Sequence, residues 1–385
     1  MMKFWGYHLS RPFVFLLSGI AVCSIALFVV MPTLAQASGS PFLANLHTFR
    51  TIASTVPTNG DVNPYGTFVV PRNQGKLGRD NVLVSNFNNS GNLQGTGTTI
   101  VQITPGGTVS LFAQLSANQL HGSCPGGVGL TTALVVLKRG WVIVGSLPTK
   151  DGTATTAKAG CLIVLNSEGQ AVETFSGGPI NGPWDMTVAD YANHAALFVT
   201  NVLNGTVAGS GNVVNKGTVL RIMLDVPQQG WGIPHIDSTS IIGSGFSEKT
   251  DPNALVIGPT GVGLDHNGTL YVADTLNNRI AAIPNALNRQ NSALTGKDVT
   301  ANGSLNGPLG LTIAPDGDIL TVNSGDGNIV ETTPKGMQVF TKQLELASMN
   351  NAPLVAGDLF GLAVDADRDA VYFVDDGSNT LNTLY

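Results

Sequence analysis

A short unit recurs along this chain, and a recurring sheet unit that cannot bury both of its faces alone constrains the architecture more tightly than composition does. From Gly258 to Ile280 the sequence reads GPTGVGLDHNGTLYVADTLNNRI: a Gly-Pro, an apolar run, a turn, a second apolar run ending in Asp274, and an Asn-rich turn. The same order returns from Asn306 (NGPLGLTIAPDGDILTVNSGDGNIV), from Leu359 (LFGLAVDADRDAVYFVDDGSNTL) and from Asn181 (NGPWDMTVADYANHAALFVTNVLNGTV). Looser copies begin at Asn63 and Gly126, which makes six. Most copies continue into a third and a fourth run, as in TTIVQITPGGTVSLFAQ and GCLIVLNSEGQAVETFSG. Each copy therefore reads as a four-stranded meander joined by short Gly and Asn turns such as Asp265–Gly268 and Pro315–Gly317.

Six such meanders predict one all-β domain over residues 38–385, a six-bladed β-propeller of four-stranded antiparallel blades. The last copy stops at Tyr385 after three strands, while His47–Ala53 resembles the fourth strands Val109–Phe112 and Val339–Thr341. The N-terminal strand is thus predicted to complete the C-terminal blade, pairing residues 47–53 with 380–385 and removing two exposed sheet edges. Composition agrees: 11% of residues are charged, and 47 glycines with abundant Asn, Thr and Val favour strands and tight turns.

The N-terminus is a different object. Lys3 and Arg11 precede an apolar run from Phe13 to Met31, followed by Pro32 and Ala35-Gln36-Ala37. That order is the sequence of an export signal, read as 1–37 and cut after Ala37, which would leave the protein periplasmic or extracellular. The run is also long enough for an uncleaved membrane anchor, the one membrane contact expected of this chain. Without the leader, 17 basic residues face 25 acidic ones, a net charge of 17 − 25 = −8. The sequence has no Lys/Arg cluster, so nucleic acid is excluded as an expected partner and a monomer is expected. The two cysteines of the mature chain, Cys124 and Cys161, are expected to be bonded to each other in an oxidising compartment.

The segment Gly258–Ile280, above all Leu270–Ile280 (LYVADTLNNRI), resembles the NHL repeat. The copies at Asn306 and Leu359 place Asn323 and Asp375 at the Asp274 position, and the others match loosely. The resemblance implies a six-bladed propeller. Propeller enzymes that this ring resembles include metal-dependent lactonases, with carboxylate and amide ligands at the centre, and lyases that use central histidines. Neither pattern transfers residue by residue: no Glu stands where the inner strands begin, and His194 and His266 fall in turns of the opposite face.

In such a ring the starts of the inner strands, the loops between second and third strands and the interblade crossovers share one face. Asn63, Asn181, Trp184, Asp185, Asn306 and Asp358 are then expected near the channel mouth, where oxygen donors suit Ca²⁺ or another divalent cation. The competing reading of the asparagines is turn chemistry, which explains Asp185 and Asp358 less well. His121 lies near a crossover of the same face, with no partner evident for general-base work. Asp365–Asp369 superficially resembles a calcium loop, but Ala370 takes the place of its glycine and the flanks read as strands, so a hairpin turn is expected. The loops 86–97, 147–159 and 203–216 are long in the first three blades only, and are expected to form a polar wall above Trp184. The expectation is a binding module for a polar ligand, a glycan or an extracellular protein; the alternative is a metal-dependent hydrolase or lyase of the lactonase kind.

Overall fold

The structure, a computed structural model, describes residues 40–344 and 359–385. The expected leader, residues 1–37, and Asp358 lie outside the described residues. Six antiparallel sheets follow one another along the chain. Their inner strands are Val62–Val69, Leu130–Val136, Pro183–Asp190, Pro259–Leu264, Pro308–Ile313 and Leu359–Asp365, and each leads outward through a second, third and fourth strand.

The repeat read from the sequence is a repeat of register. Pro64, Leu130, Pro183, Pro259, Pro308 and Leu359 pair with Asn86, Ser146, Asn201, Asp274, Asn323 and Asp375, and in every blade the inner strand is irregular directly afterwards. In three blades the polar partner serves the backbone where the inner strand starts, which needs acceptors and donors. Asn201 Oδ1 accepts the N–H groups of Asn181 and Gly182, Ser146 Oγ accepts that of Gly129, and Asn323 donates to the Ser304 carbonyl.

Two residues past the Pro or Leu, four of the six copies have glycine. A Cβ there would lie 2.3 Å from the Leu309 carbonyl at Gly261, 2.0 Å from the Phe360 carbonyl at Gly310 and 2.0 Å from the Tyr65 carbonyl at Gly361. Each of these carbonyls belongs to the next blade, so the glycines let neighbouring inner strands approach backbone to backbone. Blades two and three carry Thr132 and Asp185 at this position instead.

The ring closes as predicted. Phe49–Ser54 pairs antiparallel with Thr380–Leu384, from Phe49 opposite Leu384 to Ser54 opposite Thr380, and the N–H groups of His47 and Thr48 both donate to the Tyr385 carbonyl. Ahead of this strand Phe42, Leu43 and Leu46 pack with Leu320, Ile329 and Phe373, and the Glu331 carboxylate accepts the N–H groups of Phe42 (2.6 Å) and Leu43 (2.8 Å).

Blade three departs from four strands. Its fourth strand, His235–Asp251, outruns the blade and turns into a fifth, Leu255–Ile257. Cys124 and Cys161 form a disulfide across a separation of 37 residues, tying the crossover before blade two to that blade's third strand.

Two outcomes follow. Thr48 and Tyr385 exchange both N–H···O bonds, so the alternation of an antiparallel ladder directs the Arg50 N–H at Thr383; Arg50→Pro removes that donor and should lower the urea midpoint by the equivalent of about 2 kcal/mol, with residues 380–385 losing hydrogen-exchange protection first. Loop closure makes the disulfide worth about 4 kcal/mol, so Cys124→Ser should cost most of that in urea unfolding, whereas dithiothreitol should not destabilise the variant further.

Candidate functional site

The channel has two unlike ends. Where the inner strands begin, Tyr65, Phe87, Trp184 and Phe360 meet in one apolar cluster with Leu255 and Val256 of the extra strand. Tyr65 stacks on Phe360 at 4.0 Å and on Phe87 at 4.6 Å, and Trp184 lies tilted against Tyr65 and Phe360 at 6.2 and 6.3 Å. The Trp184 indole N–H donates to the Val256 carbonyl, 3.2 Å away, which holds the extra strand over the ring. These buried aromatics make a stopper, in which the Trp184 N–H is satisfied while the Tyr65 hydroxyl is buried without a hydrogen-bond partner. Burial also raises the Tyr65 hydroxyl pKa well above its usual value, as do the Asp376 and Asp251 carboxylates, while the Asn63 side chain acts in the opposite sense.

Towards the other end the inner strands pass from buried to half-buried, at Phe68–Val69, Thr187–Asp190 and Thr312–Ile313. Between stopper and opening lies a cavity of about 250 Å³ touched by all six blades, with Thr67, Thr132, Asp185, Val262, Leu311 and Leu362 in its wall. Asp185 is the single ionisable side chain among its described lining residues. Its Oδ1 accepts the Met186 N–H (2.8 Å) and its Oδ2 accepts the Val262 N–H (3.1 Å) of the next blade. Burial pushes its pKa up to about 8 against the pull of those two donors, because no cation compensates the charge. The hydroxyls of Thr67 and Thr132 are buried without a protein partner. The cavity wall thus carries one carboxyl, with its pKa raised to about 8.

The sequence-selected residues divide accordingly. Asp185 lines the cavity, and Trp184 is 3% exposed within the stopper. The asparagines hold backbone at the strand starts: the Asn63 N–H donates to Asn379 Oδ1, Asn181 Nδ2 donates to Asn204 Oδ1, and the Asn306 carbonyl accepts the Gly325 N–H. His121 is exposed in a surface groove with Gln114, Gln119 and Gln170, between the first and second blades, and does not meet the others. Asp365–Asp369 forms a turn, with Arg368 bridging Asp365 (2.9 Å) and Asp80 (3.0 Å).

The three long loops do gather on the stoppered face. Thr149 donates from its N–H to the Gly95 carbonyl and from its hydroxyl to the Gln94 carbonyl, and Gln94 Nε2 reaches the Pro252 and Asn253 carbonyls. Gln94, Thr153, Val207, Ser210, Asp251 and Leu255 wall a cleft of about 540 Å³. Below the third loop, Glu248 accepts the Asn204 N–H through Oε1 (3.1 Å) while Oε2 is buried without a hydrogen-bond partner; burial pushes its pKa up to about 8, opposed by Asn204 and Lys216.

One group of carboxylates among the described residues stands close enough to share a cation: Asp316, Asp318 and Glu331, with ligand atoms within 4.8 Å of one another. Both Glu331 oxygens already accept N–H groups from the N-terminal segment, and the group lies apart from the channel lining.

The signal that sequence reading missed was positional. Tyr65, Trp184 and Phe360 all follow the Pro or Leu of the repeat, and Asp185 stands where four copies have glycine; aligning the copies by register exposes both facts.

No protein-family model matches the sequence, and no curated protein matches it. The fold is similar to that of a gluconolactonase from Xanthomonas campestris (TM-score 0.52, 13% identity, 89% of this chain and 90% of that one). It is also similar to a luciferin-regenerating enzyme (TM-score 0.51, 10% identity, 86% and 94%) and to virginiamycin B lyase from Staphylococcus aureus (TM-score 0.48, 14% identity, 88% and 99%). At these identities the likeness establishes the propeller fold. The NHL resemblance remains that of one motif.

Asp185 and Glu248 have pKa values near 8 when folded, against ordinary values of 3.8 and 4.5. Between those limits the folded state binds more protons than the unfolded one, so their contribution is full below about pH 4 and is lost as pH rises through about 8. The urea midpoint should be higher at about pH 5 than at about pH 8.5, and the difference should shrink in Asp185→Asn and in Glu248→Gln.

Proposed function

We propose that this protein is a propeller hydrolase or lyase that acts on a small polar molecule in the channel cavity, with Asp185 as its general acid. The observation that carries this reading is the placement of Asp185: a carboxyl with a pKa near 8, the single ionisable side chain among the described residues lining the channel cavity. A perturbed carboxyl in a cavity is a recurrent mark of a working site, and an acid whose pKa lies near the operating pH transfers protons most effectively. The backbone donors from Met186 and Val262 fix the carboxyl, leaving its proton to be presented to a leaving oxygen. The enzymes named among the fold neighbours, a gluconolactonase and a luciferin-regenerating enzyme, support the reading by analogy of fold alone.

A divalent cation does not fit this cavity well. Hard cations take six or more oxygens with several carboxylates, and the described wall supplies one carboxylate, both of whose oxygens already accept backbone N–H groups. At Asp316, Asp318 and Glu331 a cation would brace the N-terminal segment and take no part in chemistry at the channel. The disulfide and the leader-like first 37 residues support export as the setting.

A second reading rests on the cleft among the three loops, whose wall mixes polar side chains with Ala154, Val207 and Leu255, as a site where a glycan or an extracellular peptide is bound without turnover. A panel of lactones and esters separates the two. The expected result is hydrolysis that falls about 100-fold in Asp185→Asn and, in the wild type, declines as pH rises through about 8. Turnover unchanged in Asp185→Asn would refute the acid role, and loss of ligand capture on deleting 203–216 with no turnover of any substrate would favour the binding module.

A further inference from the structure

We propose that the groove between the first three blades, lined by Arg72, Lys138 and Arg139, is a binding site for a small anion, a carboxylate or phosphate ester of at most disaccharide size. The groove is about 590 Å³, within the range of small-molecule sites, and Gln74, Ala192 and Gln228 complete its polar wall. It is distinct from the channel cavity, and the inference does not rest on the catalytic reading.

The charge balance carries the argument. This is a chain with 25 acidic and 19 basic residues, yet the lining includes three cations and no carboxylate. None of the ion pairs among the described residues involves Arg72, Lys138 or Arg139. Their heads are held by carbonyls instead. Arg72 donates to the Lys138 carbonyl (3.1 Å), Lys138 Nζ to the Asp190 carbonyl (2.8 Å) and Arg139 to the Val226 carbonyl (2.6 Å). The nearby Asp190 carboxylate accepts the backbone N–H groups of Lys138 and Ala192.

A carbonyl orients a cation without neutralising it. Guanidinium has five N–H donors and ammonium three, so each head keeps donors to spare after the bond that positions it. The floor is itself braced, because Gln74 Nε2 (2.8 Å) and Gln229 Nε2 (3.2 Å) both donate to the Arg139 carbonyl. Three oriented cations, none in an ion pair among the described residues, in one concavity match an oxyanion bearing several acceptor oxygens, and forked Arg donors suit carboxylate and phosphate alike. Sequence reading missed the cluster because Arg72 is 66 residues from Lys138, and the fold brings their blades side by side.

The test is calorimetric titration of the purified protein with citrate, inorganic phosphate and galacturonate, with neutral galactose as the control probe. Anions should bind and galactose should not, with affinity at least tenfold weaker in Arg72→Ser/Lys138→Ser and weaker again when salt is raised from about 20 to about 200 mM. Arg72→Glu should abolish binding. Arg79→Ser, an exposed cation already paired with Asp80 and Asp367, should bind as the wild type does. Equal binding of galactose, or unaltered anion binding in both Arg72 variants, would overturn the site. Absence of small-anion binding, with sedimentation instead on phosphatidylglycerol vesicles, would overturn it in favour of a membrane surface.

Discussion

The pairing of Phe49–Ser54 with Thr380–Leu384 is the constraint on which the rest of the molecule depends. A radial set of sheets has no interior until the first and last are joined. Once they are, every inner strand has a neighbour on both sides, and the close approaches at Gly261, Gly310 and Gly361 pass from blade four to five, five to six and six to one. The channel cavity exists because those contacts set its diameter. The N-terminal segment that Glu331 holds against blades five and six brings the closing strand into place.

Closure makes two ends of one channel, and the side chains make them different. The residues after the repeated Pro or Leu include Tyr65, Trp184 and Phe360, which are too large to stand apart and stack across the axis. The strand Leu255–Ile257 covers them, so the long loops of the first three blades surround a sealed surface while access to the cavity comes from the opposite face. That opposite face also holds the turns that contribute Arg72, Lys138 and Arg139.

Buried carboxylates are used in two ways here. Asp61 accepts from the Thr98 N–H and from the hydroxyls of Thr98 and Thr99, and Asp274 accepts from Asn277 and pairs with Arg279; these acids brace hairpins and are fully engaged. Asp185, like Glu248, has backbone donors and a pKa raised to about 8, so its charge is costly and its proton retained, but Asp185 alone of the two has the channel cavity before it. That contrast, more than its burial, sets Asp185 apart.

Blade number, strand order and ring closure could all be read from the chain, because a propeller blade is a local object: its hairpins join residues a few positions apart, and the turn chemistry at Asp265–Gly268 or Pro315–Gly317 marks each one. The missing last strand of the sixth copy was legible for the same reason, since an unfilled edge demands a partner. The bonding of Cys124 to Cys161 followed from there being two cysteines beyond the first 37 residues. Which end of the channel is open could not be read that way. It depends on Tyr65, Trp184, Phe360 and Leu255 meeting from three different blades, on Asp185 reaching Val262, and on Arg72 lying beside Lys138. Those contacts join side chains distant in sequence, and their geometry arises only when six separate sheets share an axis.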